Sequence, residues 1–118
     1  IAQGRRPVII TIHSFTPIFH GKPRAVEFGI IHDADPTLAH AVHAASQATG
    51  LNAQINEPYS AADDVTHTLR LHATPYGLQN VMLEVRNGLI ATPEAEAAMA
   101  ARLAPVLNAA LLHTRTAA

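Results

Sequence analysis

Residues 7–12 read Pro-Val-Ile-Ile-Thr-Ile, a short, β-branched and nearly continuous apolar run. Branched side chains restrict χ1 and favour extended backbone. A strand alternates its side chains between two faces, so an apolar residue at almost every position asks for cover on both. A chain built around such a strand needs helices above and below a sheet, and an α/β layer architecture is the expectation. The remaining sequence supplies the parts. Residues 24–32 and 51–56 read as further strands, and Asn80 to Arg86 alternates as a strand does. Asp33 or Asp35 can cap a helix that has Pro36 at its first position, carries Leu38, Ala41, Val42 and Ala45 on one stripe, and stops at Gly50. Residues 57–66 read as a polar loop, and 68–73 as a helical turn or a short extended piece. Thr92, Pro93 and Glu94 open a long Ala-rich helix reaching His113, with Pro105 as a point of kinking.

Composition removes several function classes. The net charge of −1 excludes a strongly basic nucleic-acid binder. Aromatic residues make up 4% and Trp is absent, so the core must be Ala, Val, Ile and Leu. With no Cys there is no disulfide, no thiol nucleophile and no Cys-based zinc finger. Any transition-metal site must then use His, Asp and Glu, and the same absence suits a cytoplasmic protein. No run of eighteen apolar residues is present, so no membrane-spanning helix is expected. A length of 118 residues is that of one small domain.

Two residues stand out for chemistry. His13 sits where the apolar run gives way to a loop, and ligands in open α/β sheets bind outside the carboxyl ends of strands. A hydrogen-bonded histidine at a strand end is the plainer reading. Glu84 lies among Val81, Leu83 and Val85. A carboxylate there is costly to bury unless paired or bound to metal, and burial suits a general base. Alternatively, Glu84 and Arg86, two apart and on one face, form an ordinary ion pair on a solvated surface. His40 and His43 are spaced i, i+3 but lie opposite the apolar stripe, which points to a solvated face. His67 and His72 are five apart and share neither a helical nor a strand face. The serine-hydrolase elbow, the phosphate-binding loop and the paired-His zinc helix motif are all absent.

Several ordered segments together resemble one family. Ile12-His13-Ser14-Phe15-Thr16-Pro17, Gly21-Lys22-Pro23-Arg24, Asn56-Glu57-Pro58-Tyr59-Ser60 and Glu84-Val85-Arg86-Asn87 look like the N-formylglutamate amidohydrolases. The likeness runs from about Pro7 to Leu107, and the His-Ser-aromatic and Glu-x-Arg pieces are also distantly similar to the zinc carboxypeptidases. The resemblance implies a three-layer α/β/α fold with a mixed sheet and a zinc-dependent hydrolysis of an N-acyl amino acid, N-formyl-L-glutamate in the named family. It implies that His13 is a zinc ligand and that Glu84 activates the attacking water. It also implies that Ser14, Arg24, Asn56, Tyr59 and Arg86 bind substrate. An early His/Glu motif supplies two more zinc ligands in that family, and nothing before the His13 strand matches it. The expectation is therefore the C-terminal part of a single amidohydrolase domain, an incomplete portion whose partner is the missing N-terminal segment or a second copy. The alternative is a non-catalytic binding domain that keeps the fold without the metal. A small His-rich metal-storage protein fits poorly, because the histidines lack repeat spacing.

Overall fold

The computed structural model describes residues 6–16, 18–19, 22–23, 25–57 and 65–117. Among the described residues six strands form: β1 (Ile9–Phe15), β2 (Ile18–Phe19), β3 (Lys22–Pro23), β4 (Phe28–Ile31), β5 (Ala53–Ile55) and β6 (Asn80–Arg86). Three helices accompany them: α1 (Thr37–Ser46), α2 (His67–His72) and α3 (Pro93–Ala117). The main sheet has the order β1-β6-β4-β5. β1 runs parallel to β6 and β5 parallel to β4, while β4 and β6 are antiparallel, so the sheet is mixed. A second, two-stranded antiparallel ladder joins β2 to β3, where the sequence reads as loop and turn.

β6 is the strand on which the layers close. Six of its seven residues are buried, and it is flanked on both sides. On one face Val81, Leu83 and Val85 pack with Phe28, Ile30, Leu38, Val42, Met99 and Leu103, so α1 and α3 cover this side. On the other face Met82 packs with Ile31 and with Leu69 of α2. The result is the α/β fold with a layer on each side of the sheet. The Ala content makes α3 apolar enough over Pro93–Thr114 to span a bilayer by length and composition, although it holds no continuous apolar run of that length. Its buried residues Met99, Leu103, Val106 and Ala110 form a stripe against the sheet core and α1, which is the pattern of a core helix.

The local signals largely hold. Oδ1 of Asp35 accepts from the backbone N–H of Thr37 at 3.0 Å and from its hydroxyl at 2.6 Å, securing the start of α1. Gly50 ends the following turn at φ 76°, a left-handed conformation that only glycine adopts at little cost. The Thr92 hydroxyl accepts from the Ala95 N–H at 3.1 Å at the start of α3, which then continues through Pro105. Two expectations change. β1 extends through His13 to Phe15 because its ladder with β6 continues that far. Among the described residues it is also an edge strand, and Ile12 is 65% exposed rather than covered on both faces.

Asp33 ties the two ends of the α2 layer to the sheet. Its Oδ1 accepts from the Thr66 hydroxyl at 2.9 Å, and its Oδ2 accepts from the Thr74 hydroxyl. Burial on its own would raise the Asp33 pKa. Hydrogen bonds from Thr74, Thr66 and the Ala34 N–H, with the charge of Arg70, outweigh burial and hold it below the ordinary aspartate value. Asp35 is also lowered, chiefly by its two bonds from Thr37. A folded-state pKa below the unfolded one stabilises the fold fully above the unfolded value near pH 4, and the contribution is lost as pH falls through the lower folded value. Asp33→Asn should therefore cost about 1–3 kcal/mol at pH 7. In urea unfolding, that deficit should shrink at pH 3; an equal deficit at both pH values would contradict this role.

Candidate active site

The alternation of β6 divides its side chains cleanly. Val81, Leu83 and Val85 enter the α1/α3 core, which leaves Met82, Glu84 and Arg86 on the opposite face. Register then decides what stands next to Glu84. His13 of β1 pairs with it on one side and Gly29 of β4 on the other. Paired residues on neighbouring strands point to the same face, with strands about 4.8 Å apart. The carboxylate is therefore bordered by an imidazole on one strand and by a residue without a side chain on the next. His13 is exposed, while Glu84 is 5% exposed with its Oε2 shielded from solvent. The solvated-face reading of Glu84 is thereby overturned. A buried carboxylate beside an exposed imidazole is a costly arrangement for a scaffold and a useful one for moving protons.

Arg86 leans toward β4. Its Nη2 lies 3.5 Å from Oε2 of Glu27, and its N–H donates to the Glu27 carbonyl at 3.0 Å. Oε1 of Glu27 accepts in turn from the N–H of Asn52 at 2.8 Å. Both charged side chains are about one-quarter exposed, so the pair contributes at most about 1 kcal/mol and leaves the guanidinium at the surface.

The other sequence candidates are not gathered at this point. Ser14 falls on the opposite face of β1 from His13 and lines a cleft beneath α3. Asn56 ends β5, which runs against β6, and it stands two strands away, roughly 10 Å across the sheet. Asn56 adopts φ 59°, which asparagine tolerates better than most residues. Its N–H donates to the Ile30 carbonyl at 2.8 Å, and its Nδ2 reaches Nε2 of His32 at 3.1 Å. Nδ1 of His32 donates to the Asp33 carbonyl at 2.7 Å, so the neutral ring has Nε2 as an acceptor for Asn56. Among the described residues, Oδ1 of Asn56 is buried without a hydrogen-bond partner. Arg24 and Tyr59 lie outside the described residues.

Sequence reasoning missed two neighbours. His32 has no partner in sequence and finds one only through the β4–β5 pairing. Gly29, a glycine inside an apolar strand, was the available signal for a close approach by another group. His43 is not simply solvated: its Nε2 donates to the outward carbonyl of Ala53 at 3.1 Å and covers the β5 edge. For zinc, His13 offers one nitrogen ligand with a carboxylate beside it, in keeping with a hydrolytic site. Among the described residues no group of three His, Asp or Glu could hold the ion.

The family model for N-formylglutamate amidohydrolase matches residues 1–91, which takes in β1, β6 and the whole His13–Glu84 face. The chain belongs to the N-formylglutamate amidohydrolase family. The crystal structure of gene product Atu2144 from Agrobacterium tumefaciens is similar at 50% identity with a TM-score of 0.93. That match covers 97% of this chain and 45% of the other, so the chain spans less than half the length of that relative. No curated protein matches.

Carboxylates held inside a sheet for chemistry commonly trade stability for function. Glu84→Gln should melt at or above the temperature of the unaltered chain at pH 7. A fall of more than about 4 °C, equivalent to about 1 kcal/mol in a domain of this size, would show that the charge stabilises the fold instead.

Proposed function

We propose that this chain carries the base and one metal ligand of a zinc-dependent amidohydrolase acting on an N-acyl amino acid. N-formyl-L-glutamate, hydrolysed to L-glutamate and formate, is the substrate that the family name suggests. One observation supports this reading above the others: buried Glu84 and exposed His13 stand side by side in register on one face of the sheet.

His13 would hold the ion through an imidazole nitrogen. When bound, zinc supplies Lewis-acid polarisation of the amide carbonyl and lowers the pKa of water toward neutrality. The protein's own task is proton transfer. Glu84 takes a proton from the attacking water as the new carbon–oxygen bond forms, then delivers it to the leaving nitrogen as the carbon–nitrogen bond breaks. The water is split between the two products, and the carboxylate is restored. A carboxylate held in one place by the sheet can take the proton in the first step and return it in the second. Gly29, the neighbour of Glu84 on β4, adds no side chain beside the carboxylate. Arg86, at the end of the same strand face, and Arg24 would pair with a substrate carboxylate in bidentate fashion. Ser14, Asn56 and Tyr59 are assigned to substrate binding by their place in the family motifs.

In the full-length enzyme containing these residues, Glu84→Gln should keep its zinc and lose about 10²–10⁴-fold in kcat. His13→Ala should lower the zinc content itself. Metal analysis and turnover on N-formyl-L-glutamate read both effects. Near-normal turnover by Glu84→Gln would overturn the assignment of the base. A full-length protein that binds the amino acid but holds no zinc would favour the non-catalytic binding domain.

A further inference from the structure

His32 and Asn56 stand at the carboxyl ends of neighbouring parallel strands, one residue beyond β4 and one beyond β5. In an open α/β sheet, ligands bind outside such strand ends. The backbone of Asn56 is held there by its N–H on the Ile30 carbonyl at 2.8 Å, with φ at 59°. Its side chain has two orientations that differ only in which amide atom faces His32. The histidine decides between them. Nδ1 of His32 donates to the Asp33 carbonyl at 2.7 Å, so Nε2 of the neutral ring carries a lone pair. That nitrogen lies 3.1 Å from Nδ2 of Asn56. An amide turned over would set Oδ1 against the lone pair, acceptor against acceptor. Oδ1 is instead buried away from the ring and, among the described residues, has no hydrogen-bond partner. The tautomer is braced in its turn. Thr66 and Thr74 bond the Asp33 carboxylate and so hold the peptide whose carbonyl the ring uses. From α1, the His40 ring packs with its centroid 6.4 Å from that of His32.

We propose that His32 is a positioning residue, whose Nδ1–H tautomer fixes the Asn56 amide in the one orientation that meets substrate. An amide free to turn exchanges the donor and the acceptor it offers. A substrate group that fits one orientation is repelled by the other, so a fixed amide binds more tightly than a turning one. Asp33, His32 and Asn56 then form a relay from the α2 layer to the end of β5. The relay acts on binding and not on the reacting bond, because Asn56 stands two strands from Glu84, roughly 10 Å across the sheet. This role rests on Asn56 binding substrate, and it adds the residue that sets how Asn56 does so.

The test uses the full-length enzyme containing these residues, with N-formyl-L-glutamate as substrate. His32→Asn places an amide where Nδ1 stood; it keeps the bond to the Asp33 carbonyl and falls short of Asn56. His32→Gln places an amide oxygen where Nε2 stood; it keeps the acceptor for Asn56 and gives up Asp33. His32→Asn should raise KM about tenfold with kcat changed less than about twofold, and His32→Gln should keep KM within about threefold of the unaltered enzyme. A merely structural role predicts the reverse order, since the Asp33 bond is the one that ties His32 to the braced loop, and that order overturns the proposal. A second readout needs no variant. The ring-nitrogen NMR shifts of His32 should report a protonated Nδ1 and an unprotonated Nε2, and a proton on Nε2 overturns the proposal. Asn56→Ala tests the underlying reading separately. A raised KM in Asn56→Ala with an unchanged KM in His32→Asn overturns the role of His32 alone. An unchanged KM in Asn56→Ala removes Asn56 from substrate binding, and the role of His32 with it.

Discussion

The parallel ladder between β1 and β6 is the interaction on which the rest of the structure depends. It sets His13 opposite Glu84, and a slip of one residue would turn either side chain to the other face. Register is protected by burial rather than by the site. Val81, Leu83 and Val85 must enter the α1/α3 core, and Met82 must meet Ile31 and Leu69. With both faces of β6 specified by apolar neighbours, Glu84 has one position available. The core thereby holds a carboxylate where its own side-chain preference would not take it.

That arrangement explains why the supporting polar groups sit at the rim. Arg86 is joined to Glu27, Glu27 to the N–H of Asn52, and Asp33 to Thr66 and Thr74. These contacts brace the ends of β4, β5 and β6 without crowding Glu84 from the β4 side, where Gly29 contributes no side chain. Gly29 is itself buried, so the β4 side of Glu84 is covered in the folded chain even without a side chain there.

Much of this was legible in the chain. β6 was readable residue for residue, because its alternation is undisturbed and its one charged interior position is flanked by β-branched or long apolar side chains. The starts of α1 and α3 follow from Asp35 and Thr92, whose capping oxygens act within three residues. Local signals could not place β1 in the sheet. Its apolar run says that both faces want cover and does not say that the cover belongs to this chain. Nor could they pair His32 with Asn56, since that contact depends on β4 and β5 lying side by side across 24 positions of sequence. The motif likeness reached His13 and Glu84 together, and the fold supplies the reason they belong together.

The exposed Ile12 and the apolar cleft have a bearing on the site itself. His13 lies on β1, the strand with an unfilled neighbour position, so its imidazole is held from the β6 side alone among the described residues. A metal ligand works best when its orientation is set by packing and by a partner on its other nitrogen. The β1–β6 register is then what holds the His13 imidazole beside Glu84, and the burial of Val81, Leu83 and Val85 is what holds the register.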